Sequence, residues 1–435
     1  MKNVRDAAVG ILLKTEKENA YSNLSLASAE YADADPRDRA LLSSLVYGVL
    51  EHRETLDYNI SLYLSSPLKK LHPRVLNILR TGALQIFYMD KIPDRAAVSE
   101  AVSSAKRMKA AYAAPLINAV LRKAANTGLV FPDKENKTEY LRVRYSCPGW
   151  LIGHFIQSYG DENAERILAA FEGRRPLFCR INPLAPFDVA QELEKEGVRI
   201  HPTDVENCFT LENTGDITAL SAFRRGGFHI QDMSSQICCA VLGAKPGETV
   251  LDCCSAPGGK AFTAAEKMNG SGMLIANDIY EHKCRLIEEG AARLGLRNIR
   301  TVCSDASSLG DRIKDADRVL CDVPCSGLGV IGRKPEIRYK PQDELKDLPA
   351  VQYAILDNCS RAVKKGGVLV YSTCTLNPAE NEDVCDRFLA AHPEFSVSSG
   401  GYYGELTGGE KYKTFFPEKN GGDGFFIARF IRTGS

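Results

Sequence analysis

Between residues 248 and 268 the chain runs from a short apolar stretch, ETVLDC, through a turn of small residues, DCCSAPGGK, into a segment of helical periodicity. A strand that feeds a glycine-rich turn and then a helix leaves few folds open. The pattern then continues: MLIAN (273–277), helical Glu281 to Leu294, IRTVC (299–303), DRVLCDV (317–323), a long helical stretch, GGVLVYST (366–373), helical PAENEDVCDRFLAA (378–391) and GFFIARFI (424–431). Alternating β and α units predict an α/β region with a mostly parallel, doubly wound sheet and right-handed crossovers. The last strands are expected to pair antiparallel.

The front of the chain has a different period. Leu41, Leu42, Leu45, Val46, Val49 and Leu50 recur at helical spacing, as do Val98, Ala101, Val102, Ala105 and Met108, and then Leu116, Ile117, Val120 and Leu121. Pro36, Pro73, Pro93 and Pro115 sit at or near expected helix starts. The start, MKNVRDAAVGILLKTEKENA, reads as a first amphipathic helix rather than a secretory signal. An all-α bundle of residues 1–130 follows, and NTGLVFPDKENKTEY (126–140) reads as a linker. Residues 141–235 mix a helical Trp150 to Phe171, strand-like PLFCRINPL and CFTLEN, and a charged helix over 188–198, so a small α+β linking region is expected. The third segment, 236–435, carries the alternating pattern. The chain is multidomain on this reading.

Composition excludes several classes. Lys+Arg and Asp+Glu both number 55, so no global field advertises a polyanion. Residues 1–140 are mildly basic, with 20 Lys+Arg against 16 Asp+Glu. No apolar run approaches the roughly 20 residues that span a bilayer, so no membrane is expected. The 14 cysteines are scattered, without tandem CxxC spacing or a nearby His pair. That argues against a metal site and against a secreted disulfide framework. Most are expected to be reduced and buried in a cytoplasmic protein; Cys238, Cys239, Cys253, Cys303, Cys321, Cys359 and Cys385 sit in apolar runs.

Three motifs carry chemistry. The turn Cys254, Ser255, Ala256, Pro257, Gly258, Gly259, Lys260 precedes a helix N-terminus, where free N–H groups meet a ligand. Asp278 ends the next strand, 19 residues past Gly259, where a carboxylate accepts from ribose hydroxyls. A nucleoside-bearing cofactor is implied. The turn lacks GxGxxG, which favours S-adenosylmethionine over NAD. Asp322-Val323-Pro324-Cys325-Ser326-Gly327 and Ser372-Thr373-Cys374-Thr375 end two later strands, and Asn377, Pro378 and Glu380 read as a helix cap that stiffens the Cys374 loop. Cys325 and Cys374 lie in loops, outside apolar runs. A methyl donor beside cysteine suits C5 of cytosine, a poor nucleophile until a thiolate adds to C6. Asp322 stands where an acid near N3 of the base would stabilise such an adduct.

DCCSAPGGK, DVPCSG and YSTCT together resemble the RNA cytosine-C5 methyltransferases of the class I, S-adenosylmethionine-dependent (Rossmann-like) fold. DRALLSSLVYGVLEHRETLD, LRTGALQIFYMDKIPDRAAVSEAV and PLINAVLRKA resemble the NusB-type RNA-binding domain. The combination is similar to the bacterial 16S rRNA cytosine-C5 methyltransferase RsmB (Sun/Fmu) family. The resemblance implies that Cys374 is the nucleophile and that Cys325 assists product release. It further implies that Cys254 to Lys260 hold the methionine end of the cofactor, that Asp278 takes its ribose, that Asp305 lies by its adenine, and that Asp322 lies between cofactor and base. It implies a monomer acting on small-subunit rRNA not fully assembled into the subunit. DNA cytosine-C5 methyltransferases use the Pro-Cys thiol instead, which would exchange the two cysteine roles. Phosphate contacts are expected from Arg74, Lys106, Arg107, Lys109, Arg122 and Lys123, and from Arg333, Lys334 and Arg338. Two other readings stay open: a tRNA cytosine-C5 methyltransferase, and a non-enzymatic NusB-like RNA-binding factor.

Overall fold

Polar residues that cap helix starts set the first element boundaries. In the computed structural model, which describes residues 3–18, 35–173, 175–310, 312–417 and 421–434, Asp35 accepts from the Arg37 N–H ahead of helix Pro36–Glu51. His72 and Pro73 open helix Pro73–Tyr88 in the same way. With Val4–Glu18, Arg53–Ser61, Asp94–Arg107 and Ala114–Thr127 these helices form the expected all-α bundle. Residues 1–2 and 19–20 of the expected first helix lie outside the described residues. The apolar stripes meet in one core that includes Leu42, Leu45, Ile78, Leu79, Ile117 and Leu121, though Leu116 faces out. Gly48 and Gly82 let helices close up, since a Cβ there would meet Leu84 and Leu121 side-chain carbons at 2.8 and 2.5 Å. No described helix is long and apolar enough to cross a membrane.

Packing divides the chain at places other than the sequence boundaries. One unit holds residues 1–172 with 334–341, the other 173–333 with 342–435. Helices Lys137–Arg144, Gly149–Tyr159 and Asp161–Ala170 belong to the first unit, because buried Thr55 and Ser146 tie them to it: Thr55 Oγ1 donates to the Val143 carbonyl at 2.5 Å, and the Glu54 N–H to Ser146 Oγ at 3.0 Å. The expected single helix Trp150 to Phe171 breaks at Gly160, φ +77°. The expected linker is pinned too. Buried Asn59 donates to the Val130 carbonyl at 3.0 Å and accepts the Val130 N–H at 2.9 Å.

In the second unit β1 (Leu177–Ile181), β2 (Arg199–Pro202), β3 (Cys208–Glu212) and β4 (Phe228–Ile230) form a small antiparallel sheet in the order β2-β3-β1-β4. The large sheet is built from β5 (Thr249–Asp252), β6 (Met273–Asp278), β7 (Ile299–Cys303), β8 (Ala316–Asp322) and β9 (Val363–Thr373), all parallel in the order β9-β8-β5-β6-β7. β12 (Phe425–Arg432) adds antiparallel to β9, with β10 (Phe395–Val397) and β11 (Lys413–Phe415) on β12. The antiparallel ending was legible, whereas short β2, β4, β10 and β11 carry too few residues for periodicity to register. β7 ends the order, which leaves Cys303 exposed instead of in the core as its apolar run suggested.

The small sheet joins the large one through buried polar contacts. Arg180 Nε meets Glu266 Oε2 at 2.6 Å, and Asn182 Nδ2 donates to the Gly226 and Leu294 carbonyls at 2.9 and 3.0 Å. A Cβ on Gly226, φ +76°, would fall 2.0 Å from the Arg293 carbonyl oxygen, so glycine is required for this approach.

Candidate functional site

In open α/β sheets ligands bind beyond the carboxyl ends of the strands, and a crevice of about 650 Å³ lies there. Asp278, Asp305, Asp322, Cys325 and Cys374 all line it, with Cys254 and Ala256 of the glycine turn. Asp322 and Ser372 are register partners on neighbouring β8 and β9, which brings the Pro-Cys and Thr-Cys loops into one wall.

The two thiols stand 3.2 Å apart, Sγ to Sγ. Hydrogen bonding to Cys374, reinforced by burial, pushes the Cys325 thiol well above its ordinary range. At that separation either thiol can donate to the other. Glu380 holds both loops. Its buried carboxylate accepts from Ser326 N at 2.8 Å, Ser326 Oγ at 2.6 Å, Asn377 Nδ2 at 2.9 Å and Gln352 Nε2 at 2.9 Å. Ser326 Oγ and Thr375 Oγ1 lie 2.7 Å apart, and Gly329 N donates to the Cys374 carbonyl at 3.0 Å. A Cβ on Gly329 would sit 2.1 Å from the Gly424 oxygen, so the loops close only around glycine. The expected cap is thus half right. Asn377 accepts from Ala379 N at 3.2 Å, but Pro378–Glu380 is one 3-10 turn, and α-helix begins only at Glu382. Glu380 clamps the opposite loop rather than capping its own helix, a contact that separations along the chain do not reveal.

Lys260 reaches Asp322 Oδ2 at 2.7 Å, and Ser372 Oγ donates to Asp322 Oδ1 at 2.8 Å. Beneath them Asp252 is fully enclosed. Burial, then the Asp322 charge, push its carboxyl up to about 7 against the pull of Lys260. Gly258, φ +109°, is dictated by packing, since a Cβ there would fall 2.3 Å from the Phe262 ring. Ser255 N donates to the Asn277 carbonyl at 2.7 Å, and Asn277 Nδ2 donates to the Cys253 and Ser304 carbonyls at 2.8 and 2.9 Å. Asn277, which sequence reading passed over, ties the ends of β5, β6 and β7 together. Pro257 and Gly259 complete the turn ahead of helix Gly259–Lys267.

At the far end Asp278 accepts from Tyr280 N at 3.2 Å and lies 3.8 Å from Lys283 Nζ. Asp305 accepts from Ser307 N and Oγ, both at 2.8 Å. Ile279 and Ile355 add apolar walls. Carboxylates for a ribose, apolar faces for a base and a helix N-terminus fit a nucleoside-bearing cofactor.

Several expected phosphate contacts are corrected. Arg338 is 1% exposed, with Nη1 donating to the Glu51 carbonyl at 2.6 Å. Arg333 pairs with Asp423 and Asp232 at 2.7 and 3.1 Å, and Arg107 with Asp6 at 2.6 Å. Arg74 Nη1 donates to the Met108 carbonyl at 2.9 Å. Internal acceptors take the guanidinium of Arg338, Arg333 and Arg74, while Arg107 stays exposed in its pair with Asp6. Lys106, Lys109, Arg122, Lys123 and Lys334 are exposed. The fold also gathers what spacing kept apart, for the sulfurs of Cys253, Cys321 and Cys359 lie within 4.8 Å of one another in the core.

Comparison with known proteins agrees with this geometry. Residues 239–431 match the 16S rRNA methyltransferase RsmB/F model, 2–126 the NusB family and 147–218 the Methyltr_RsmF/B-like, ferredoxin-like domain. The chain is 36% identical to the probable ribosomal RNA small subunit methyltransferase B of Bacillus subtilis, over 99% of both chains. It is 32% identical to the ribosomal RNA small subunit methyltransferase B of Vibrio cholerae, over 90% of both. The crystal structure of PH0851 superposes with a TM-score of 0.81 at 25% identity, covering 98% of each chain. A methyltransferase homolog protein from Pyrococcus horikoshii matches 68% of this chain and 99% of its own, with a TM-score of 0.59 at 27% identity. S-adenosylmethionine is the cofactor of these methyltransferases, and the crevice suits it. The chain belongs to the RsmB/F family of 16S rRNA methyltransferases.

Proposed function

We propose that this protein methylates C5 of a cytidine in small-subunit rRNA through a covalent adduct, with Cys374 as nucleophile and Cys325 as its proton-holding partner. The observation that carries the reading is the thiol pair. In a hydrogen-bonded thiol pair one sulfur holds the proton and the other accepts it, and the raised Cys325 thiol supports Cys325 as the holder. Only a thiolate attacks C6 of the ring. Addition there makes C5 nucleophilic toward a methyl group, which S-adenosylmethionine supplies when bound. Afterwards the C5 proton must leave and the Cys374–C6 bond must break. Cys325, with its thiol beside Cys374, assists that release. Asp322, fixed by Lys260 and Ser372, meets the N3 edge of the base. Asp278 holds the ribose, Asp305 the adenine side, and the turn Cys254 to Lys260 the methionine end.

The target base must be single-stranded or flipped into the crevice. Lys106, Lys109, Arg122 and Lys123 supply phosphate contacts on the helical unit, and Lys334 adds one in its 334–341 segment. Residues 1–130, 141–235 and 236–435 act as RNA-binding, linking and methyl-transfer modules of a monomer, on rRNA not fully assembled into the subunit. The test is transfer of labelled methyl to deproteinised small-subunit rRNA, transfer RNA and DNA, each digested to nucleosides. The reading expects label in 5-methylcytidine from the rRNA alone. Label from transfer RNA would move the substrate, and binding of RNA without any label would replace the enzyme by a binding factor.

A further inference from the structure

We propose that Cys325 and Cys374 are also an oxidation site, closing to a reversible disulfide when hydrogen peroxide enters the crevice. Closure needs the sulfurs to come from 3.2 Å to about 2.05 Å, a move of roughly 1 Å. Glu380 and Ser326 already fix the two loops against each other, which leaves that move to side-chain rotation. Access separates this pair from the Cys253–Cys321 contact in the core. Cys325 and Cys374 both line the open crevice, whereas in the Cys253–Cys321 contact, 3.8 Å long, Cys321 does not line it and both thiols are 0% exposed.

The chemistry balances. The Cys374 thiolate attacks one peroxide oxygen, the O–O bond breaks, and hydroxide leaves, giving a sulfenic acid. Cys325 gives up its proton and attacks the Cys374 sulfur, the S–OH bond breaks, and a second hydroxide leaves. Two thiols lose two electrons in total, the peroxide gains them, and two waters form. A partner already in contact traps the sulfenic acid before a second peroxide reaches it, so overoxidation is avoided. A dithiol reductant restores both thiols by exchange. The predicted effect on methyl transfer rests on the function proposed above, but disulfide formation does not.

The test treats the full chain with a few equivalents of hydrogen peroxide, alkylates the remaining thiols and maps the products by mass spectrometry. Of the 14 thiols, two should be lost together in a peptide pair joined through Cys325 and Cys374, and dithiothreitol should return both. In Cys325→Ser, Cys374 should pass to sulfinic and sulfonic acids that dithiothreitol leaves unchanged. Cys303→Ser, which removes the exposed thiol, should oxidise at Cys325 and Cys374 as the parent does. Overoxidation of Cys374 in the parent as fast as in Cys325→Ser would overturn the proposal, as would pairing spread over other cysteines. Methyl transfer measured on the same samples should fall and recover with the disulfide. A reversible disulfide in a protein whose reduced form transfers no methyl would sink the enzymatic reading alone.

Discussion

At the thiol end of the crevice one buried carboxylate, Glu380, accepts four hydrogen bonds from three side chains and a backbone N–H, across two loops and helix Leu348–Ser360. At the other end Asp278 and Asp305 find their partners among residues two to five places along their own segments. On the function proposed above, the contrast follows from the work of each end. A covalent step tolerates little error in position, so the thiols are held from both sides. A cofactor that comes and goes needs acceptors still reachable from the crevice, so the carboxylates at the ends of β6 and β7 stay on short local tethers.

The largest expected effect breaks the rigid end. Glu380→Ala strands buried donors on Ser326, Asn377 and Gln352, and should cost about 3 kcal/mol or more of stability. Methyl transfer should fall at least about 100-fold even where the protein remains folded, since a 1 Å misplacement has that effect. Urea unfolding with single-turnover kinetics measures both, and a variant with parental single-turnover rates would show that the clamp does not set the thiol geometry. Next comes the adaptable end. Asp278→Ala should weaken cofactor binding by roughly 10- to 100-fold, about 1.4 to 2.8 kcal/mol, with little change in melting temperature. Calorimetric titration reads the first and thermal denaturation the second; a large loss of stability would make Asp278 structural instead.

A third prediction asks whether acid sensitivity comes from outside the crevice, at the Arg180–Glu266 joint. Burial, then Arg180, hold the His229 ring down to about 3, so the unfolded chain binds its proton first and His229 destabilises the fold as pH falls from 6.5 toward 3. Burial lifts the neighbouring Glu266 carboxyl to about 7 against Arg180, which works the opposite way between pH 7 and 4.5. The two offset each other until about pH 4.5, below which His229 acts alone. His229→Gln should therefore gain stability as pH falls below 6.5, by about 1.4 kcal/mol per pH unit at most. Denaturant melts across this range check it, and parallel curves for the two proteins would refute it. The smallest effect is on RNA. Lys123→Ala should weaken RNA binding a few-fold and lower the magnitude of the salt slope by about 1, measured by filter binding across salt concentrations.

The glycine turn, the strand alternation and both thiol loops were legible because short-range spacing encodes them. Asp278 was legible from its place at the end of the strand after the glycine turn, whereas Asp305 came from the family resemblance. Glu380 was noticed for the wrong reason: its place three residues after Asn377 suggested a cap, while its partners Ser326 and Gln352 lie 54 and 28 residues away in sequence. Arg338 misled for a related reason. Its charge suggested phosphate, but the backbone carbonyls that take it belong to residues as far away as Glu51. The ties from Thr55 to Val143 and from Asn59 to Val130 were not legible, because both side chains sit within an ordinary amphipathic pattern. Long-range polar contacts of this kind leave no periodic trace in sequence.

The account turns on which thiol bonds to the base. Cys325→Ala and Cys374→Ala, each incubated with S-adenosylmethionine and small-subunit rRNA and then run on a denaturing gel, decide it. Cys325→Ala should accumulate a covalent protein–RNA complex, and Cys374→Ala should form none. A complex from Cys374→Ala, with none from Cys325→Ala, would exchange the two roles and contradict the account.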